Sequence, residues 1–284
     1  MKVIRTINEL QKQISDLKLS PLGFIPTMGA LHKGHLSLVE NGIKHCPLVV
    51  VSIYINPTQF NDKEDLKNYP RTLDQDEILL KGVLRQNDII FTPDDSEIYP
   101  EVDKRIFSFG NLDQVMEALH RPGHFNGVAK VVSRLFEIVN PDYAFFGIKD
   151  FQQLAVVREL VRQTGDKVSI ISNPIVREPD GLAMSSRNRF LEPEIRESAG
   201  IIFKTLSSAT EMLAYMDIPE LKTWIIKTIE GIKGFSIEYF EIVDDRELIP
   251  VEKKSGLIQG KHYFGCIALR AGKIRLIDNI EFQL

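Results

Sequence analysis

Apolar positions along this chain follow two periods, and the switches between them outline the fold. Ile7, Leu10, Ile14 and Leu17 recur at three- and four-residue spacing, which predicts an opening amphipathic helix. Residues 21–25 form the first strand candidate, and residues 48–55 are a near-continuous β-branched run of the kind buried in parallel sheets. A helical pattern lies between them, so strand, helix and strand already make one βαβ unit. Tyr69-Pro70-Arg71-Thr72 opens a helix expected to reach Arg85, and residues 88–91 read as the next strand. The stretch 94–110 is weakly patterned and is assigned to loops or short strands. Val128, Val131, Val132, Leu135 and Val139 mark another helical stripe, followed by strand 143–146, a helix, and strand 168–171.

After about residue 177 the character changes. Helical patterns cover 193–215 and 219–232, then come strand candidates at 237–243 and 263–269, with Arg275-Leu276-Ile277-Asp278-Asn279 close behind. Two domains are expected: 1–176, built on a parallel sheet, and a smaller α+β domain over 177–284, with the active site in the cleft between them.

Composition narrows the function. A chain of 284 residues that is 43% hydrophobic and 26% charged has the make-up of a globular protein, and a net charge of −4 gives no reason to expect nucleic acid or an anionic membrane as partner. Any anionic ligand must then be held by local positive groups, which points to a small-molecule site. Cys46 and Cys266 stand in no ligand or redox motif and read as reduced, buried thiols. The first residues lack a leader pattern and no apolar run is long enough to span a bilayer, so a cytoplasmic location is expected.

The chemistry concentrates in Pro26-Thr27-Met28-Gly29-Ala30-Leu31-His32-Lys33-Gly34-His35, between an apolar strand and a helical pattern. In α/β proteins that is how phosphate sites are built, because unpaired N–H groups at a helix start favour a polyphosphate. His32 and His35, three apart, can meet one ligand, and Gly34 lets it approach the backbone. Surface decoration or half of a zinc site are the plainer alternatives. Two histidines do not complete a tetrahedral site, and no Cys or further His stands at ligand spacing nearby.

Further polar segments follow the other strands. Asn56 and Gln59, in Asn56-Pro57-Thr58-Gln59-Phe60, reach the same sheet edge or form an ordinary turn. Arg121-Pro122-Gly123-His124-Phe125-Asn126-Gly127 is a mobile anion-binding loop or a plain start to a helix. In Gly147-Ile148-Lys149-Asp150, Lys149 offers a cation for phosphate, while Asp150 either caps the next helix or accepts from a ribose hydroxyl; Gln153 faces back toward the strand edge. Met184-Ser185-Ser186-Arg187 brings two hydroxyls and a guanidinium, a second phosphate clamp or a cap with a surface arginine.

With these motifs in order, the chain resembles the pantothenate synthetase family, within the nucleotidylyltransferase superfamily whose H-x-G-H signature also marks class I aminoacyl-tRNA synthetases. The matches are P-T-M-G-x-L-H-x-G-H at 26–35, N-P-x-Q-F at 56–60, Y-P-R-T at 69–72, R-P-G-H-F-x-G-V at 121–128, G-x-K-D-x-Q-Q at 147–153 and D-G-L-A-x-S-S-R-N at 180–188, with a weaker continuation at R-L-I-D-N. The resemblance implies an α/β fold: a Rossmann-like parallel-sheet nucleotidylyltransferase domain with a smaller C-terminal α+β domain. It implies ATP-dependent condensation of pantoate with β-alanine through pantoyl adenylate, releasing pyrophosphate and then AMP.

Carried onto this sequence, ATP would be held by Pro26, by Met28, Gly29, Ala30, Leu31, His32, Lys33, Gly34 and His35, by Gly147, Ile148, Lys149 and Asp150, by the backbone at Val176, and by Met184, Ser185, Ser186 and Arg187. His35, given the proton-donor role, His32 and Lys149 would be catalytic; Gln59 and Gln153 would bind pantoate, and Gln59 also β-alanine. Mg²⁺ is expected with the triphosphate, and a homodimer with the family. An acidic pair follows Y-P-R-T in the family; here Asp76 matches one member and Gln75 replaces the other, so no protein ligand for the metal is assigned. The competing readings are a nucleotidylyltransferase that transfers AMP to a phosphate and a non-catalytic nucleotide sensor.

Overall fold

The computed structural model describes residues 1–283. In chain order the elements are β1 (Lys2–Ile4), α1 (Ile7–Leu17), β2 (Leu22–Thr27), α2 (Lys33–His45), β3 (Leu48–Ile53), α3 (Lys63–Asn68), α4 (Leu73–Lys81), β4 (Ile89–Phe91), α5 (Asp95–Ile98), α6 (Glu117–His120), α7 (His124–Val139), β5 (Tyr143–Gly147), α8 (Phe151–Thr164) and β6 (Ser169–Asn173). There follow α9 (Pro193–Ser198), α10 (Ile201–Met212), α11 (Ile218–Glu230), β7 (Phe235–Asp244), β8 (Tyr263–Ala271) and β9 (Ile274–Phe282). Among the described residues, six strands form a parallel sheet in the order β1-β4-β3-β2-β5-β6, and three form an antiparallel sheet β7-β8-β9.

The continuous apolar strands are explained by burial on both faces. Phe24, Val50 and Phe91 point into one core with the stripe of α7, while Ile25, Val51 and Ile90 point the other way, against Leu38 and Val39 of α2 and Leu80 of α4. From β2 the chain builds outward through β3 and β4, and it later returns to β2's other side with β5. The carboxyl ends of β2 and β5 therefore flank the point where strand order reverses, where open α/β sheets bind ligands.

The smaller sheet covers α10 and α11 with one face. With the other it meets the first core, where Phe264 lies 4.4 Å from Phe151, ring to ring. Arg275 of β9 adds a polar tie, donating to both carboxylate oxygens of Glu117 at 2.8 and 2.7 Å.

Several boundaries differ from the pattern-based expectation. The helix expected over 69–85 is α3 and α4, interrupted at Tyr69-Pro70, because proline disfavours helical backbone before it and lacks an N–H. Within 94–110 a short helix, α5, starts where the Asp94 side chain accepts the N–H of Glu97 at 3.0 Å. The strand β1 precedes α1, and β9 runs through Arg275 to Asn279.

Candidate active site

The turn after β2 is tight and pinned from afar. Gly29 and Ala30 have φ of 78° and 50°, and the Gly29 N–H donates to Thr27 Oγ1 at 3.2 Å. The next two N–H groups, on Ala30 and Leu31, donate to the two oxygens of Asp76 at 2.9 and 2.8 Å, and the Thr72 hydroxyl donates to the same carboxylate at 3.2 Å. Asp76 is 1% exposed. The acid left without a role at the sequence level is thus the anchor of the motif turn; its signal is an Asp in the first turn of a helix, four residues after a threonine.

The histidines cap α2. His32 is the N-cap residue, and its Nδ1 accepts the Gly34 N–H at 3.1 Å; His35 Nδ1 accepts the His32 N–H at 3.3 Å. The ring centroids are 4.1 Å apart. A Cβ on residue 34 would stand 2.8 Å from the His32 ring, so Gly34 makes room for that ring. An Nδ1 that accepts carries no proton, so each neutral ring keeps its hydrogen on Nε2. Burial, first, and the charges of Lys149 and Arg189 push His32 down to about 4; burial, His32 and Lys149 push His35 down to about 3.

Gln59 rests on a buried polar platform. Asn56 Nδ2 donates to Gln59 Oε1 at 3.3 Å and to the Gly127 carbonyl at 3.2 Å, and the Gln59 Nε2 lies 3.0 Å from Met28 Sδ. With its oxygen engaged, Gln59 turns the amide's donor end toward the cleft. The Gln59 carbonyl bonds His124 Nδ1 at 2.8 Å, and a Cβ at Gly127 would lie 2.4 Å from the Thr58 carbonyl. His124, 5% exposed, is therefore a support for Gln59, and the anion-loop reading of 121–127 leaves Arg121 as the cation facing the adjoining recess. Burial, first, and Arg121 push His124 down to about 4.

On the neighbouring strand, Gly147 opens the loop that carries Lys149 and Asp150. Asp150 occupies the N-cap position of α8, yet its side chain makes no capping bond, which leaves the exposed carboxylate for a ligand. Opposite, the N–H of Met184 donates to the Val176 carbonyl at 3.0 Å, and Ser185 caps a short 3₁₀ turn by accepting the Arg187 N–H at 3.2 Å. Arg187 Nη2 donates to both oxygens of Asp65 on α3, at 3.1 and 3.0 Å.

These pieces line one cleft of about 230 Å³, into which Pro26, Met28, His32, Gly34, His35, Gln59, Gly147, Lys149, Asp150, Gln153, Val176 and 184–187 all project. A recess of about 90 Å³ adjoins it, sharing Met28, Gln59, Lys149, Asp150, Gln153 and Arg187 and extending to Tyr239 and Asn279 of the smaller sheet. Ala30 and Leu31 are buried beneath the turn, Lys33 is exposed on α2, and Ile148 contributes its backbone. Among the described residues no three His, Cys, Asp or Glu side chains converge as a metal site, and both Asp76 oxygens are already occupied.

A strand-to-helix turn at a topological switch point, two imidazole donors and a lysine on the adjacent loop suit a polyphosphate, and they place the chain in the class of nucleotide-binding α/β enzymes. The model of the family described as Pantoate-beta-alanine ligase matches residues 2–281. A pantothenate synthetase of Azobacteroides pseudotrichonymphae is 48% identical over 285 residues, covering 99% of this chain and 100% of its own; one from Bacteroides thetaiotaomicron is 47% identical, covering 100% and 99%. The crystal structure of pantothenate synthetase from Thermus thermophilus superposes with a TM-score of 0.90 at 39% identity, covering 100% of both chains. That of pantoate-beta-alanine ligase from Francisella tularensis, complexed with beta-gamma ATP and beta-alanine, gives 0.77 at 32% identity, covering 99% and 97%. The chain belongs to the pantoate-beta-alanine ligase family. Among the described residues no helix is long and apolar enough to cross a membrane.

Proposed function

We propose that this chain condenses (R)-pantoate with β-alanine in two steps on one nucleotide. A pantoate carboxylate oxygen attacks the α-phosphorus of ATP, the bond to the β-phosphate breaks, and pyrophosphate leaves. The amine of β-alanine then attacks the acyl carbon of pantoyl adenylate; the carbon–oxygen bond to AMP breaks, AMP leaves, and the amine proton passes to solvent.

The observation that carries this reading is the juxtaposition of phosphate donors with two amides. His32 and His35, neutral with Nε2–H free, donate to phosphoryl oxygens and keep their protons, so His35 acts as a hydrogen-bond donor as charge builds at phosphorus. Lys149 supplies the fixed positive charge, and Ser185, Ser186 and Arg187 close on the triphosphate from the opposite wall. Pro26, Met28, Gly34, Gly147, Asp150 and Val176 shape the nucleotide side. Gln59 and Gln153 orient the pantoate carboxylate, and Gln59 also β-alanine; a neutral amide positions that oxygen without the tight ion pair that would dull it as a nucleophile.

Mg²⁺ enters as the companion of the triphosphate, since the described residues offer it no ligand set. The chain is read as two domains, 1–176 and 177–284, acting as a homodimer in the cytoplasm.

Mass-spectrometric product analysis with Mg-ATP and pantoate, with and without β-alanine, tests this. Pyrophosphate and pantoyl adenylate without β-alanine, and pantothenate with AMP in its presence, are the expected products. Pantoate-independent pyrophosphate, or AMP transfer to a phosphate acceptor, would assign the cleft to a different nucleotide reaction.

A further inference from the structure

The smaller sheet reaches into the catalytic loop at one place. Asn279 on β9, 3% exposed, donates through Nδ2 to the carbonyls of Ile148 at 2.8 Å and Lys149 at 3.1 Å. From the other side, the Ile148 N–H donates to the carbonyl of Asn173 at the end of β6, at 2.9 Å. The backbone on which Lys149 is mounted is thus gripped through donors and acceptors alike.

Asn279 is itself held rigidly. Arg177 donates to both oxygens of Asp278 at 2.6 and 3.0 Å and to the Asn279 carbonyl at 3.3 Å, and the Asn279 N–H donates to Asp278 Oδ1 at 2.8 Å. The guanidinium carbon of Arg177 also lies 3.9 Å from the Phe203 ring centroid on α10. An ion pair this enclosed is weak ground for stability, since desolvation offsets its attraction, but it locks geometry. The lock lies where the chain passes from the parallel sheet into the smaller unit, and it acts on a loop 130 residues away.

We infer that Asn279 is a positioning residue for nucleotide activation, with the Arg177–Asp278 pair setting its amide so that the smaller sheet holds Lys149 at the phosphate side of the cleft. This rests on the proposed role of Lys149. Without the amide, the two carbonyls lose their common donor, the loop relaxes, and the ammonium spends less time at the reacting phosphate. Misplacement of a charge-stabilising group lowers turnover more than binding.

The test is a double-mutant cycle read by pantoate-dependent pyrophosphate release. Asn279→Ala should lower kcat on the order of tenfold or more, with the pantoate KM changed less than about twofold; in a Lys149→Ala background the same substitution should cost less than about threefold further. Losses that multiply independently would overturn the inference, because a purely structural asparagine acts whether or not Lys149 is present. So would a Lys149→Ala enzyme with normal turnover. If Asn279→Ala does not fold, Asn279→Asp, which keeps the shape and removes both donor hydrogens, runs the same cycle. Absence of pyrophosphate release in the unaltered enzyme would instead count against the functional reading.

Discussion

His35 Nδ1 accepts the backbone N–H of His32, and His32 Nδ1 accepts that of Gly34, so the two imidazoles form the N-terminal cap of α2 with their own rings. A protonated ring has no lone pair to accept with, so the fold selects the neutral form and one tautomer. Long-range ¹H–¹⁵N NMR should show both rings as Nε2–H tautomers at about pH 7, with neither titrating near the ordinary histidine value of about 6.5. A doubly protonated signal there would overturn the assignment.

His35→Ala removes a donor that acts as charge develops at phosphorus. The single-turnover rate of pyrophosphate release at saturating ATP should fall on the order of a hundredfold. A raised ATP requirement with a normal limiting rate would make His35 a binding residue only.

Three depressed histidines make stability depend on pH. Unfolded, His32, His35 and His124 bind protons near their ordinary value of 6.5; folded, they resist until about 4, 3 and 4. Between 6.5 and 4 the unfolded chain therefore binds more protons, so stability is complete above 6.5 and declines as pH falls toward 4. Urea midpoints at about pH 7.5 and about pH 5 should differ in that sense, and His124→Gln should shrink the difference. Equal midpoints for the unaltered protein would contradict the histidine burial.

Asp76 holds two buried N–H groups. Asp76→Ala leaves both without partners, at a cost of about 1–3 kcal/mol each, and should lower Tm together with activity. Asp76→Asn, which keeps one acceptor oxygen, should fall between. Activity loss with an unchanged Tm would point to a direct role with the substrates or their metal.

Asp65 occupies Arg187, the guanidinium proposed for the triphosphate. Because the pair is partly solvated, its strength is of the surface kind, about 0–1 kcal/mol. Asp65→Asn should lower the ATP KM by up to about fivefold and leave Tm unchanged. An increase in KM would mean that Asp65 aims Arg187 at the nucleotide.

Short-range information carried far in this protein. The runs at β3 and β5 announced strands buried on both faces, the stripe at α7 announced its helix, and the decapeptide at 26–35 announced a ligand turn, because periodicity, left-handed turns and helix starts are set by neighbours in sequence. Residue types alone also marked Lys149, Gln59 and Gln153 as cleft candidates. The helix boundary at Tyr69-Pro70 was misjudged although proline signals it, since the apolar spacing continues across the break.

What only the tertiary structure decided is which atoms face which. Asp76 reaches back 46 residues to Ala30, His124 reaches Gln59 across 65, and Asn279 reaches Lys149 across 130. These bonds fix the motif turn, the support beneath Gln59 and the seat of Lys149. No local pattern encodes them, because a buried donor takes whichever acceptor the packing of distant elements presents to it.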